Sequence, residues 1–135
     1  MGKYLVALDG TEYYTSEKVS CSGCLTCKKR NGIVEHHHKA LQAIICHPKQ
    51  KQILPMMPEA IAKSDGQTKQ DCEVNAAKRL LPTLRKRHPG MPFIWLAFAT
   101  APFIGEILAN QEDFIFRVKQ GDHTPVFERG KFTLY

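Results

Sequence analysis

The run Tyr4-Leu-Val-Ala-Leu-Asp9-Gly10 constrains this chain more than any other segment. Residues with strand preferences deliver one carboxylate to a strand end, and Gly10, lacking a Cβ, lets another group come close. A rigid strand end is a good platform for a metal ligand, and hard cations such as Mg²⁺ collect carboxylates from several elements. The Asp-Gly pair also predicts a tight turn, with a second strand over about residues 12–19. The two readings are compatible, because a hairpin can present a ligand.

A chain of 135 residues has room for one domain and one core. Its longest apolar stretch, residues 92–105, is too short to span a bilayer and is interrupted by Pro102. Met1-Gly2-Lys3 leads into a strand rather than into a signal core, so a cytoplasmic protein with no membrane partner is expected. Val6 stands where a myristoylation signal needs Ser or Thr. No motif points to a small-molecule substrate.

The net charge of +6 and a pI near 9.1 suggest a polyanionic partner, with DNA the leading candidate. The charge falls in two groups: Lys28, Lys29 and Arg30, and then Lys78, Arg79, Arg85, Lys86 and Arg87. Solvated helix faces also produce such runs.

Further along, a turn-rich, Cys-rich basic loop occupies residues 20–32. Residues 33–46 predict a third strand, antiparallel to the second. A short extended piece over residues 52–57 ends at Pro58, and residues 63–70 form a polar loop. Val74, Ala77, Leu81 and Leu84 place one apolar face on a helix over residues 71–87. Asp71 and Glu73 at its start and His88 at its end suit the helix dipole. Pro82 should kink or divide it. Phe93-Ile-Trp-Leu-Ala97 reads as a buried parallel strand. A second helix over residues 101–111 should turn Phe103, Ile107 and Leu108 inward, and residues 113–118 read as a last strand. Residues 119–135 form a polar tail with a weak strand near Phe132. The order β-β-β-α-β-α-β makes an α/β domain with a mixed sheet and helices packed on it.

Three segments carry a family resemblance: Leu-Val-Ala-Leu-Asp9-Gly10-Thr11-Glu12, Lys69-Gln-Asp71-Cys-Glu73-Val-Asn-Ala-Ala-Lys78-Arg79, and Asp113-Phe-Ile-Phe-Arg-Val-Lys119. In this order they resemble the catalytic region of bacterial insertion-sequence DDE transposases over about residues 3–122. The resemblance implies an RNase H-like fold, incomplete at its C-terminus, so that residues 1–135 make a single partial catalytic domain. It also implies an ancestral activity, metal-dependent DNA cleavage and strand transfer. In that family three acids hold two Mg²⁺ ions, which clamp the attacking and leaving oxygens. Asp9 matches the first acid and is the candidate catalytic residue. The second acid should follow the buried strand, where this chain has Trp95-Leu-Ala97-Phe98-Ala99-Thr100-Ala101-Pro102-Phe103. The third belongs to a later helix, expected past Tyr135, and the family's N-terminal DNA-recognition region is missing as well. Glu12, three residues beyond Asp9, should face the other way, and Glu106 has no spacing that requires it at the site. The chain is therefore expected to be catalytically inactive.

The five cysteines, an odd number in a chain without an export signal, argue against a disulfide framework. Cys21, Cys24 and Cys27 form two overlapping C-x₂-C pairs, half of a tetrahedral zinc site. The other half could come from His38, from Cys46 and His47, or from Cys72. Free thiols packed on a sheet edge are the simpler alternative. Among His36, His37 and His38, strand alternation puts the first and third on one face. The functional alternative to a transposase fragment is a non-catalytic, zinc-stabilised nucleic-acid-binding module. A third reading is a relic whose sheet leaves apolar surface uncovered.

Overall fold

The computed structural model describes residues 2–63, 71–97 and 100–116. The sequence forms β1 (Tyr4–Ser16), β2 (Leu25–Lys28), β3 (Val34–Cys46), β4 (Leu54–Ile61), α1 (Glu73–Arg87), β5 (Phe93–Leu96), α2 (Ala101–Ala109) and β6 (Asp113–Ile115). All six strands join one mixed sheet, in the order β2-β3-β1-β5-β6, with β4 also on β3. No helix among the described residues is long and apolar enough to cross a membrane.

Asp9-Gly10 is not a turn. β1 runs unbroken through it, pairing Asp9 with Gln42 and Gly10 with Leu41 on antiparallel β3. The expected first and second strands are thus one strand of 13 residues. The physical reason is the length of β3, also 13 residues, which offers ladder partners on both sides of the Asp-Gly pair. The chain turns instead after Ser16, whose Oγ accepts the N–H groups of Lys18 and Val19 at 3.1 and 3.0 Å.

The Cys-rich segment also contains a strand that its turn-rich composition hid. β2 pairs with the start of β3 as a hairpin, placing Leu25 opposite His37 and Cys27 opposite Glu35. Its turn is closed by Lys29 N–H to Ile33 O at 2.8 Å and by Gly32 at φ 85°, a conformation that favours glycine. β4 extends beyond the expected stop at Pro58. It is an edge strand bonded only to β3, where Pro55 and Pro58 can lack donors without breaking a second ladder. Four strands, not three, therefore precede α1.

Alternation sorts the sheet into two faces. Val6 and Leu8 of β1, Leu41 and Ala43 of β3, and Phe93 and Trp95 of β5 are buried against both helices. From α1 come Ala76, Ala77, Leu80, Leu81 and Leu84, and from α2 Phe103 and Ile107. Leu108, expected inward, is 57% exposed, because this nine-residue helix seats Phe103 and Ile107, four apart, on the core and turns Leu108 away from it. α1 does not divide at Pro82. Pro82 sits on the exposed side, and the carbonyl it leaves unpaired belongs to exposed Lys78, where water can satisfy it. Val118 and the weak strand near Phe132 lie outside the described residues.

Candidate metal centre and the carboxylate of the central strand

The sharpest cluster of ligating atoms joins the Cys-rich loop to β3. Cys21 Sγ lies 3.2 Å from Cys24 Sγ and 3.3 Å from His38 Nε2, and Cys24 Sγ lies 3.4 Å from the same nitrogen. All three ligand atoms fall within 4.8 Å of one another. The C-x₂-C spacing produces this by a tight turn, with Cys24 N–H bonded to Cys21 O at 3.2 Å and Cys21 N–H to Cys24 Sγ at 3.2 Å. A hydrogen bond from Cys24, supported by the backbone N–H groups of Gly23 and Cys24, holds the Cys21 thiol below its ordinary range. Burial and the neighbouring Cys21 push the Cys24 thiol up. Thiolates and a neutral imidazole are the donor set that a zinc ion prefers, so these three residues are compatible with Zn²⁺.

His38 is aimed by a bulge. The β1–β3 register shifts between Glu12 and Tyr14, so Tyr14 pairs with His38 while Tyr13 is the extra residue. Both rings then flank the imidazole, Tyr13 stacked at 5.9 Å and Tyr14 tilted at 5.5 Å. Tyr13, Tyr14, Val19 and Ser20 line a surface cavity of about 420 Å³ with the three ligands.

The other expected zinc ligands are not brought here. Cys27 follows Leu25 at a two-residue interval on β2, and Leu25 is buried on the helix-covered face, so Cys27 points away from His38. Cys72, at the N-cap of α1, lines a different cleft with Leu25, His37, Lys39 and Glu73. Cys46 ends β3 eight positions from His38, about 26 Å at strand rise. His37 takes the opposite face from His38, as alternation requires, and its Nδ1 is 3.6 Å from Glu12 Oε2.

Asp9 is exposed on the face that carries no helix among the described residues. β1 is the central strand, antiparallel to β3 and parallel to β5, and the pairing with β5 ends at Ala7–Leu96, two residues before Asp9. Glu12 faces the helix side, 3.4 Å from Lys39 Nζ. Glu73 does more than complement the dipole. A Cβ on Gly10 would lie 2.0 Å from its Oε1, so the missing side chain is what lets the start of α1 reach β1 beside Asp9. Nothing in the sequence spacing signalled that contact. The residues present do not fit a pair of Mg²⁺ ions. The three-ligand group among the described residues is Cys21, Cys24 and His38, and none of its ligands is a carboxylate.

The basic residues divide by partner. Lys29 lies 2.8 Å from both Glu17 and Glu35, whose hydrogen bonds hold its ammonium above its ordinary range. Arg79 bonds Asp71 at 2.6 Å and Glu59 at 2.7 Å, so its charge is likewise raised in stability. Arg85 pairs with Glu112 and covers the Phe93 ring at 4.7 Å and the Trp95 ring at 5.6 Å. Burial lowers its pKa. Among the described residues no ion pair holds Lys28, Arg30, Lys78, Lys86 or Arg87, and all five are exposed. Comparisons with protein-family models, with curated proteins and with solved structures gave no match.

Proposed function

We propose that this chain is part of the catalytic domain of an insertion-sequence DDE transposase, with an RNase H-like sheet and DNA as its partner, and that it does not itself cleave DNA. One observation carries the reading. Asp9 stands on the central strand just past the carboxyl end of the parallel β5 pairing, where the sheet changes from antiparallel to parallel neighbours. The strand order also reverses there, with β3 on one side of β1 and β5 on the other, and open α/β sheets bind ligands at such a reversal. The sequence resemblance puts the family's first metal-binding acid at this residue. The exposed cations Lys28, Arg30, Lys78, Lys86 and Arg87 supply the charge for phosphate contacts.

Inactivity follows from ligand count. One exposed carboxylate does not hold Mg²⁺ against its hydration shell. A plasmid-nicking and strand-transfer assay with Mg²⁺ or Mn²⁺ should show no product. Cleavage that disappears in Asp9→Ala would overturn the inactive assignment. DNA affinity should fall steeply as salt rises, and affinity indifferent to salt would remove DNA as partner.

A non-catalytic nucleic-acid-binding module is the second reading. It is favoured by the Cys21, Cys24 and His38 cluster at the base of the hairpin that carries Lys28 and Arg30. Under it a chelator should weaken DNA binding, whereas the transposase reading predicts no such dependence.

A further inference from the structure

We infer that Cys21, Cys24 and His38 form a zinc site with three protein ligands and a fourth position open to an exogenous donor. The site stands apart from the DNA reading and is tested by metal alone. Tetrahedral Zn–S and Zn–N bonds of about 2.3 and 2.0–2.1 Å separate two sulfurs by about 3.8 Å and sulfur from nitrogen by about 3.6 Å. The observed separations of 3.2, 3.3 and 3.4 Å are a few tenths shorter, so an ion enters by a small outward movement of three side chains. The three atoms already converge without rearrangement of the backbone.

The fourth position is open because each cysteine that could close it is held elsewhere. Cys27 is on the wrong face of β2, Cys72 is across the sheet at the start of α1, and Cys46 is at the far end of β3. What surrounds the cluster is a cavity walled by Tyr13, Tyr14, Val19 and Ser20. Aromatic and aliphatic walls with few competing donors leave room for water, an anion, a thiolate or an imidazole on the ion. Three protein ligands and a free position are the arrangement that lets zinc take an outside ligand, whereas four-ligand sites only brace the fold. His36 lies two residues along the same face, with a buried Nδ1 that makes no hydrogen bond, and it is the internal competitor that the test must exclude.

The ion would also fasten the loop. Its ligands come from the turn before β2 and from β3, and Gly23 O between the two cysteines accepts Lys63 N–H at 3.4 Å after β4. One ion thus ties together the three strands on one edge of the sheet.

Cobalt(II) titration of the full chain, purified under a phosphine reductant, tests the proposal. One equivalent should bind, with visible bands of a tetrahedral site and sulfur-to-metal charge transfer. Cys21→Ser, Cys24→Ser and His38→Ala should each weaken binding at least tenfold, while Cys27→Ser, Cys46→Ser and Cys72→Ser leave it unchanged. Azide or imidazole should shift the visible bands. X-ray absorption of the zinc-loaded wild type should count two sulfurs, which needs no variant to fold. Absence of stoichiometric binding, a third sulfur, or loss of binding in Cys27→Ser or Cys72→Ser overturns the site. Visible bands indifferent to azide and imidazole, or altered by His36→Ala, overturn the open position.

Discussion

Arg85 offers the most direct test of which cations serve the fold and which face a partner. In sequence it belongs to the run Arg85-Lys86-Arg87, three equivalent charges at the end of a helix. In the structure its guanidinium is paired with Glu112, whose carboxylate also accepts Trp95 Nε1–H, and it lies over two core rings. Only 26% of the Arg85 side chain and 8% of the Glu112 side chain are exposed. Arg85→Ala leaves that carboxylate buried with one neutral donor. Breaking a buried pair costs about 3–5 kcal/mol, and stacking over aromatic faces adds about 0.5–2 kcal/mol. Partial exposure of Arg85 puts the expected loss near the low end, about 3 kcal/mol. Single domains of this size hold about 7–20 kcal/mol. The variant should therefore fold, with a urea midpoint lower by about 1–2 M. Its DNA salt dependence should be that of the wild type. Lys86→Ala and Arg87→Ala should do the reverse, leaving the midpoint in place and reducing the salt slope by about 0.9 per lost phosphate contact. A midpoint unchanged in Arg85→Ala, together with a shallower salt slope, would refute the division.

Three further outcomes follow from packing and charge. Ile107→Ala should cost about 2–4 kcal/mol in urea unfolding, whereas Leu108→Lys should cost under about 0.5 kcal/mol, and equal losses would mean that α2 is rotated. Burial opposes ionisation of Asp71, but the hydrogen bond from Arg79 outweighs it, so its folded pKa is depressed. The stability it contributes is then complete above the ordinary carboxylate range and lost as pH falls through the depressed value, and thermal melts of Asp71→Asn should show a flatter acid limb than wild type. Gly10→Ala should displace the Glu73 carboxylate at a cost of about 1 kcal/mol, since the clash meets the end of a flexible side chain, and a loss of folding would show that α1 cannot yield there.

The fold was legible where burial alone decides. Trp95 and Phe93 in a continuous apolar run, and Ala77, Leu81 and Leu84 at helical spacing, lie where the period places them. What escaped were elements set by pairing partners far away in the chain. Asp9-Gly10 carries every local mark of a turn, but a turn forms only if the strand stops, and Leu41 and Gln42 of β3 hold it straight. β2 has four residues, and three of them are exposed, so its apolar pattern is too short to register beside the glycine and cysteines around it. Pro82 was tolerated for a reason invisible in one dimension, the solvent-facing position of Lys78.

The same dependence governs the Cys21, Cys24 and His38 cluster. The C-x₂-C pair was readable because its turn is local, and His38 because alternation separates it from His37. Which third cysteine to exclude was not readable, since that requires knowing that Cys27 is on a strand and that Leu25 fixes its parity. With that parity in place, the division of labour across the sheet becomes a consequence of burial. Val6, Leu8, Leu41 and Ala43 commit one face to α1 and α2. Asp9 and His38 both lie on the other face, Asp9 opposite Gln42 and His38 four residues earlier on the same strand as Gln42. At strand rise that spacing is about 13 Å, too far for one ion to use both. The Asp9 carboxylate and the Cys21, Cys24 and His38 cluster therefore stand apart on one face, and Cys24→Ser should leave Asp9 and its pairing with Gln42 in place.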